Sequence, residues 1–179
     1  PVISPNGKLI AFSKEERRPL AYSPDRIAIM NLDGTNIRII TNDLDGDASN
    51  IFWSSDSDSL YYAYDEQGIR KIGMATVKGK LSHVAEGLGG TTLGRPYLSG
   101  GFHIANNTLA FTHGTSERPA NIGVINDDQV EILTALNDDL LSHRKLGAVN
   151  EIKYRSSFDG QEIQGWYITP PDFDPTRKY

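Results

Sequence analysis

Cysteine is absent from the 179 residues of this chain. Its absence excludes disulfide bonds, thiolate nucleophiles and cysteine-ligated zinc. A chain without cysteine is compatible with both oxidising and reducing compartments, so a cytoplasmic and a periplasmic location both stay open. No metal or cofactor is predicted from the remaining residue types.

Long apolar runs and basic runs are also missing. No stretch approaches the roughly 18 apolar residues that a membrane-spanning helix needs, and no N-terminal signal pattern is present. The chain does not begin with Met, so a signal further upstream in a longer protein stays open. The net charge is −5 and the densest basic cluster is only residues 15–18. Neither nucleic acid nor a membrane is therefore predicted as a partner.

Helical periodicity is scarce as well. The single helical candidate is "NDDLLSHRK", residues 137–145, where Asn137 is the predicted N-cap and two aspartates occupy the first turn. The rest of the chain alternates apolar and polar residues over short stretches, which is typical of β-strands. With 38% hydrophobic residues, the composition is that of a globular protein with a core.

An internal repeat organises these strands. "ISPNGKLIAFS" at residues 3–13 aligns with "WSSDSDSLYYA" at residues 53–63 at an offset of 50, and a looser copy is "SGGFHIANNTLAFTHG" at residues 99–114. In each copy a polar turn precedes a short apolar strand. The middle copy departs from the Ser-Pro-Asn-Gly turn of the first, and the third is looser still, so the exact repeat boundaries are left open.

Each repeat contains further predicted strands. Second strands are expected at residues 26–32, 68–77 and 120–126, and third strands at residues 36–41, 81–86 and 129–134. Fourth strands are expected just before the next turn, at residues 50–54 and 94–99. Turns are expected at Asp33-Gly34, with positive φ at Gly34, at residues 78–80 and at residues 127–128.

Four short antiparallel strands in each repeat of 40 to 50 residues are typical of a β-propeller blade. Three such repeats occupy residues 1–147, whereas a closed propeller generally needs about four to eight blades. The sequence therefore predicts an all-β fold with an incomplete propeller, either a piece of a longer protein or a chain that completes itself by association.

A different pattern follows the repeats. "EIKYRSSF" at residues 151–158 and "QEIQGWYITP" at residues 161–170 flank Asp159-Gly160, which predicts a β-hairpin that ends at the double proline, residues 170–171. An isolated hairpin is only marginally stable in water, so it requires a partner surface.

These segments together resemble serine peptidases of the prolyl oligopeptidase family, in particular the acylaminoacyl-peptidase and dipeptidyl-peptidase-like branch. The resemblance is carried by the "SPNGKLIAF" turn, by "EILTALNDDLL" at residues 131–141 and, most specifically, by "SSFDGQEIQGWYITPPDFDPTRKY" at residues 156–179. It implies a propeller over residues 1–147 and, over residues 148–179, the first strands of an α/β-hydrolase domain. It also implies Ser-His-Asp acyl-transfer chemistry.

The catalytic residues of that chemistry are not found in this segment. The nucleophile would lie in a G-x-S-x-G motif, which the sequence lacks. Ser99 in "LSGGF" is the nearest imitation, but it lies on a predicted blade turn. We therefore assign no catalytic residue, and the triad is expected beyond residue 179.

Histidines and acidic residues offer weak metal candidates. His83, His103, His113 and His143 lack a zinc-binding spacing and are interpreted as surface or turn residues. "NDLDGDAS" at residues 42–49 carries alternate aspartates at positions 43, 45 and 47, which suggests calcium. Aligned as an EF-hand, however, it would begin at Thr41 and end at Phe52. A solvated acidic loop is therefore the preferred interpretation.

Aromatic and arginine residues complete the candidates. The strand aromatics are expected to pack between blades, with a minor alternative that some line a tunnel; they are Phe12, Phe52, Trp53, Tyr61, Tyr62, Tyr64 and Phe111. Arg95 and Arg118 each precede a proline. They are interpreted mainly as rim residues, with contact to a peptide carboxylate or to the hydrolase domain as the alternative.

Three functional hypotheses remain. The first is a non-catalytic propeller segment that gates access of short peptides to a serine peptidase site, with peptide substrates and the hydrolase domain as partners. The second is a Tol-type binding propeller without an enzyme. The third is a self-associating chain whose exposed blade edges pair with those of other copies.

Overall fold

The described strands of the chain form three antiparallel four-stranded sheets and one separate hairpin. A computed structural model describes residues 1–15, 23–90, 100–106, 108–126 and 129–179. The sheets follow one another along the chain, and within each the strands are neighbours in sequence order. The expected partial propeller of about three blades is confirmed.

The strand bounds are as follows. The first sheet contains β1 (Val2–Ile3), β2 (Leu9–Glu15), β3 (Asp25–Asn31) and β4 (Arg38–Ile39). The second contains β5 (Ala48–Trp53), β6 (Ser59–Glu66), β7 (Ile69–Thr76) and β8 (Leu81–Glu86). The third contains β9 (Phe102–Ala105), β10 (Thr108–His113), β11 (Asn121–Asn126) and β12 (Gln129–Ile132).

The boundaries of the sheets differ from those of the sequence repeats by one strand. We expected residues 50–54 to be the fourth strand of the first repeat, but β5 pairs with β6 and therefore opens the second sheet. The polar turns connect the first two strands within a sheet, so the strand before each turn belongs with the strand after it. The expected strand at residues 94–99 lies outside the described residues, and β9 forms where a loose turn was expected.

The first of these turns is closed by its own side chains. Ser4 Oγ donates to Asn6 Oδ1 at 2.8 Å and accepts from the backbone N–H of Leu9 at 2.9 Å. Gly7 donates its N–H to the carbonyl of Ser4 at 2.8 Å and has a φ of +69°. Only a residue that tolerates this left-handed conformation fits here, and glycine does so without strain.

The middle turn repeats this bonding with different residues. Ser54 Oγ donates to Asp56 Oδ1 at 2.6 Å and accepts from the N–H of Ser59 at 3.0 Å. Ser57 takes the place of the glycine, with a φ of +68°. Its buried hydroxyl accepts from the N–H of Asn6 at 3.1 Å, which ties the two turns together. The divergent middle turn is therefore equivalent to the first in structure.

The hydrophobic core lies between successive sheets. Side chains alternate along β6, so that Leu60, Tyr62 and Tyr64 pack toward the first sheet while Tyr61 and Ala63 pack toward the third. β5 contacts strands of the first sheet and also β9 of the third. This face-to-face stacking of twisted sheets is the arrangement of propeller blades.

Two predicted turns are confirmed, whereas one predicted strand, one helix and the N-cap of that helix require correction. Gly34 has a φ of +83° and Gly79 a φ of +88°, as turns at those positions require. The turn expected at residues 127–128 lies outside the described residues.

The expected third strand at residues 36–41 shortens to β4, and the helix expected at residues 137–145 shortens to α1 (Asp138–Leu141). Asn137 itself adopts a left-handed conformation, so its side chain makes no capping bond.

The terminal hairpin consists of β13 (Val149–Arg155) and β14 (Glu162–Ile168). Its connection spans six residues, 156–161, rather than the expected two-residue turn, and Ser156 donates its N–H to the carbonyl of Gln161 at 2.8 Å. β14 ends before the double proline, as expected. Within the described part of the chain, no helix has the length and apolar character needed to cross a membrane.

Candidate functional site

A polar junction between the first two sheets is built on a cluster of side chains within the second sheet. Asp65 and Arg70 are paired across β6 and β7, with Arg70 Nη1 3.0 Å from Asp65 Oδ2. Arg70 Nη2 donates to Ser49 Oγ on β5 at 2.8 Å. The arginine side chain is only 12% exposed, so it holds three strands from within the sheet. Burial raises the pKa of Asp65, and the Arg70 guanidinium partly offsets this.

The acidic loop at residues 42–47 closes the same junction. Arg26 Nη1 donates to the carbonyl of Gly46 at 2.5 Å, and Asp47 Oδ1 accepts from the N–H of Asp25 at 2.8 Å. Gly46 has a φ of +117°, and a Cβ there would lie 2.8 Å from the carbonyl oxygen of Asp65. The loop therefore links the first sheet to the second. In the described residues, no group of three or more His, Asp or Glu side chains is arranged to hold a metal ion.

A cavity of about 370 Å³ lies beside this junction. Its apolar lining includes Val2, Ala11, Phe12, Ala48 and Ile51, and its polar lining includes Ser13, Asp25 and Ser49. The cavity follows β2, which pairs with β1 only through Ala11 and Ile10, so residues 12–15 pair with β3 alone among the described strands.

The terminal hairpin approaches the blades at the same end. Gln164 Nε2 lies 3.3 Å from the carbonyl oxygen of Gln67, in the turn between β6 and β7. The indole of Trp166 lies against Gly68 in that turn. Further along, Arg118 in the β10–β11 connection forms an ion pair with Asp138 of α1. The hairpin therefore contacts the connection between the second and third strands of the second sheet. The helix α1 contacts the equivalent connection in the third sheet.

The two faces of the hairpin differ in polarity. Glu151, Lys153, Gln164 and Trp166 lie on the face that meets the β6–β7 turn. The opposite face presents four large apolar side chains, each 37–55% exposed: Ile152, Tyr154, Ile163 and Tyr167. Sequence alternation thus produces a hairpin whose polar face meets the blades and whose apolar face is open.

Most strand aromatics pack between blades, as predicted. Phe52 meets Phe102 edge-to-face at a ring-centroid distance of 5.1 Å, between the second and third sheets. Trp53, Tyr62 and Tyr64 belong to the core between the first and second sheets. Tyr61 and Phe111 belong to the core between the second and third. Phe12 instead lines the cavity beside β2.

The remaining candidates are dispersed. His103 packs its ring against Phe52 and His113 lies near Phe111, while His83 and His143 are exposed on other elements. Arg118 pairs with α1, and Ser99 and Arg95 lie outside the described residues. Arg70 and Gly68 were not singled out from the sequence. The sequence did contain a signal for Gly68. Gln67 and Gly68 are the two residues between the paired strands β6 and β7, and a two-residue connection with glycine is typical of a tight hairpin turn.

Comparison with known proteins extends these observations. No protein-family model matches the chain. The chain is 24% identical over 182 residues to dipeptidyl-peptidase 5 of Porphyromonas gingivalis, a match that covers all of this chain and 25% of that protein. It is also 24% identical over 188 residues to a probable dipeptidyl-peptidase 5 of Aspergillus niger, covering 24% of it. The chain thus spans about a quarter of the length of these curated relatives.

Solved structures share the fold. The acylaminoacyl peptidase of Pyrococcus horikoshii matches with a TM-score of 0.73 at 20% identity, over 96% of this chain and 25% of that one. The AtxE2 isopeptidase, solved with Astexin3-dC4 bound, also matches with a TM-score of 0.73, at 14% identity, over 96% of this chain and 26% of that one.

A TolB protein of Agrobacterium tumefaciens matches less completely. Its TM-score is 0.55 at 16% identity, over 74% of this chain and 47% of that one. The peptidase structures therefore match more of the chain than this propeller does, and the Tol-type alternative is not favoured. The resemblance to propeller-bearing peptidases of the prolyl oligopeptidase family, indicated by the blade turns and the terminal hairpin, is confirmed by similarity along the whole chain and by the fold.

Proposed function

We propose that the chain is the non-catalytic propeller segment of a serine peptidase that hydrolyses short peptides. In this proposal the blades restrict access of substrate to a Ser-His-Asp site outside residues 1–179. The chain contributes no nucleophile or base of its own. Its polypeptide partners are the peptide substrate and an α/β-hydrolase domain of the same protein.

One observation carries the proposal: three stacked blades are followed directly by an amphipathic hairpin. The polar face of the hairpin meets the β6–β7 turn, while Ile152, Tyr154, Ile163 and Tyr167 form an open apolar face. A two-stranded sheet with one apolar face requires another layer of structure to cover it. The whole-chain similarity to dipeptidyl-peptidase 5 supports a peptidase domain as that layer.

The proposed domain boundary lies near residue 147. Residues 1–147 would form the blades, and residues 148–179 would form the first strands of the hydrolase domain. The contacts among described strands support this division, because β13 and β14 pair with one another and belong to none of the three blade sheets.

Two measurements test the location of the catalytic groups. The gene would be sequenced beyond the codon for Tyr179, where we expect a G-x-S-x-G motif followed by an Asp and then a His. In parallel, residues 1–179 would be purified and assayed on chromogenic dipeptide amides, and no amidase activity is expected. Substantial hydrolysis by this segment, or a gene without the motif, would contradict the proposal.

The gating role is tested in the full-length protein. Replacing Arg26 by Leu would remove the hydrogen bond from the first sheet to the carbonyl of Gly46, in the loop that leads into the second sheet, and loosen the junction between two blades. Hydrolysis of unfolded casein should then rise relative to hydrolysis of a dipeptide amide. Lys71→Leu is the matched control, because it also replaces a cationic side chain by leucine, but Lys71 pairs with Glu66 of the same blade at 2.7 Å. Gating would be refuted if the ratio of the two rates were equal in both variants.

Self-association is proposed for the chain in isolation. The open face of the hairpin is one apolar surface available for contact between copies. Ile3 on β1 is 61% exposed and, with Ile10 and Met30, lies on the face of the first sheet that points away from the second. Burial of these surfaces against another copy would remove them from water.

A further inference from the structure

The contact between Trp166 and Gly68 is closer than any side chain would allow. A Cβ on Gly68 would lie 2.4 Å from Cη2 and 2.7 Å from Cζ2 of the indole. The six-membered ring edge of Trp166 therefore rests on the backbone of the turn. Beside it, the amide of Gln164 donates to the carbonyl of Gln67 at 3.3 Å.

The conformation of the turn does not by itself explain this closeness. Gln67 and Gly68 both have positive φ, +50° and +72°, as the two central residues of a type I′ hairpin turn do. Gly34 also has positive φ, +83°, yet a Cβ there would meet no atom within 4 Å. Both positions favour a residue that tolerates the left-handed region, but of these two only position 68 also requires that the Cβ be missing.

Few other described side chains join the hairpin to the blades. Glu151, which accepts from the same Gln164 amide at 2.9 Å, lies within the hairpin itself, and so do the ion pairs of Lys153. The Trp166 side chain is 49% exposed, so about half of its surface is covered.

The geometry points to Gly68 as a seat for Trp166 that fixes the terminal hairpin against the middle blade. The seat is a docking surface within the chain, formed by the β6–β7 turn, and its occupant is the indole edge together with the Gln164 amide. Any residue with a Cβ at position 68 collides with the indole, which then leaves the turn and loosens the hairpin while the blades stay folded. This inference does not depend on the proposed peptidase function, because the seat and its occupant both lie within residues 1–179.

The test compares Gly68→Asn with Gly34→Asn in the purified chain. Asparagine tolerates positive φ, so both variants keep their turns, and circular dichroism should show the same β-structure in both. In Gly68→Asn the indole of Trp166 leaves its seat. Its acrylamide quenching should increase roughly twofold, from about half to full exposure, with a red shift of emission. Trp53, the other tryptophan, is 9% exposed and contributes equally to both variants.

A second variant keeps the inference falsifiable if Gly68→Asn fails to fold. Gln164→Ala removes the hydrogen bond to Gln67 without altering the turn, and it should increase hydrogen exchange of the β13 and β14 amides. Leu81→Ala, at the start of β8 in the sheet that carries the β6–β7 turn, controls for a general loss of stability. Equal quenching in the two Asn variants, or unchanged exchange in Gln164→Ala, would overturn the inference.

Discussion

Tyr62 is among the largest side chains that the blades bury fully, with 1% of its surface exposed. It lies on β6, facing the first sheet, and its ring is 5.7 Å from that of Tyr64. Burial, and secondarily the neighbouring Tyr64, raises the pKa of Tyr62 to about 12. A buried phenol resists ionisation because the phenolate would lose its hydration.

This shift predicts a loss of stability at high pH. The pKa of Tyr62 is about 10 in the unfolded chain and about 12 in the folded chain, so between these values the folded state binds more protons. The contribution is fully present below pH 10, and the free energy of unfolding should fall by roughly 2 to 3 kcal/mol as the pH rises through this interval. Guanidinium titrations at several pH values would measure it.

Tyr62→Phe provides the control, because it removes the ionisable hydroxyl and keeps the ring. The pH dependence above pH 10 should become shallower in this variant. An unchanged slope would mean that other groups with a raised pKa, such as Tyr64 or Lys71, cause the alkaline loss.

At the scale of the element, two threonines complete strands that end early. Thr41 Oγ1 accepts from the N–H of Ile27 at 2.9 Å, while Ile40 donates its N–H to the carbonyl of Ile27. In the third sheet Thr134 Oγ1 accepts from the N–H of Ile122 at 2.9 Å. The side chain thus replaces a backbone acceptor where the outer strand leaves the sheet.

Substituting these threonines should have unequal effects. Thr41 and Ile27 are fully buried, so Thr41→Val leaves the Ile27 N–H without an acceptor and should cost about 1 to 3 kcal/mol. Ile122 is 40% exposed, so water can replace the hydroxyl in Thr134→Val, and a smaller loss is expected. Chemical denaturation of both variants measures the difference, and Thr41→Ser should retain most of the stability. Equal losses at both sites would show that burial does not set the cost.

The same threonine explains one limit of sequence-based prediction. β8 has the bounds predicted for it and pairs with β7 along its length, whereas residues 36–41 end as a two-residue strand because Thr41 bonds through its side chain. β9 was not predicted because the glycine-rich residues that precede it resembled a turn. The seat for Trp166 was also missed, since Gln164 and Gln67 are 97 residues apart in sequence and no local pattern encodes their contact.

At the scale of the whole molecule, the open faces of the hairpin and the first sheet predict concentration-dependent association. Sedimentation velocity of residues 1–179 should give a weight-average coefficient that rises with concentration. The double variant Tyr154→Thr/Ile163→Thr keeps β-propensity but removes apolar surface from a directly paired position, and it should reduce association.

A matched variant lies on the opposite face of the same strands. Arg155 and Glu162 are also directly paired, so Arg155→Thr/Glu162→Thr changes the hairpin equally without altering its apolar face. Association should persist in this variant. A single monomeric species at all concentrations of the unmodified chain would rule out attraction between these faces.

The one-strand offset between repeats and sheets affects how the molecule comes apart. Excising the repeat that begins at the Ser54 turn would leave β5 behind without β6, its partner in the sheet. Each repeat therefore supplies the first strand of the next blade. The blades should consequently unfold together as one cooperative unit instead of melting singly, and a viable deletion would have to follow the sheet, Ala48 to Glu86, rather than the repeat.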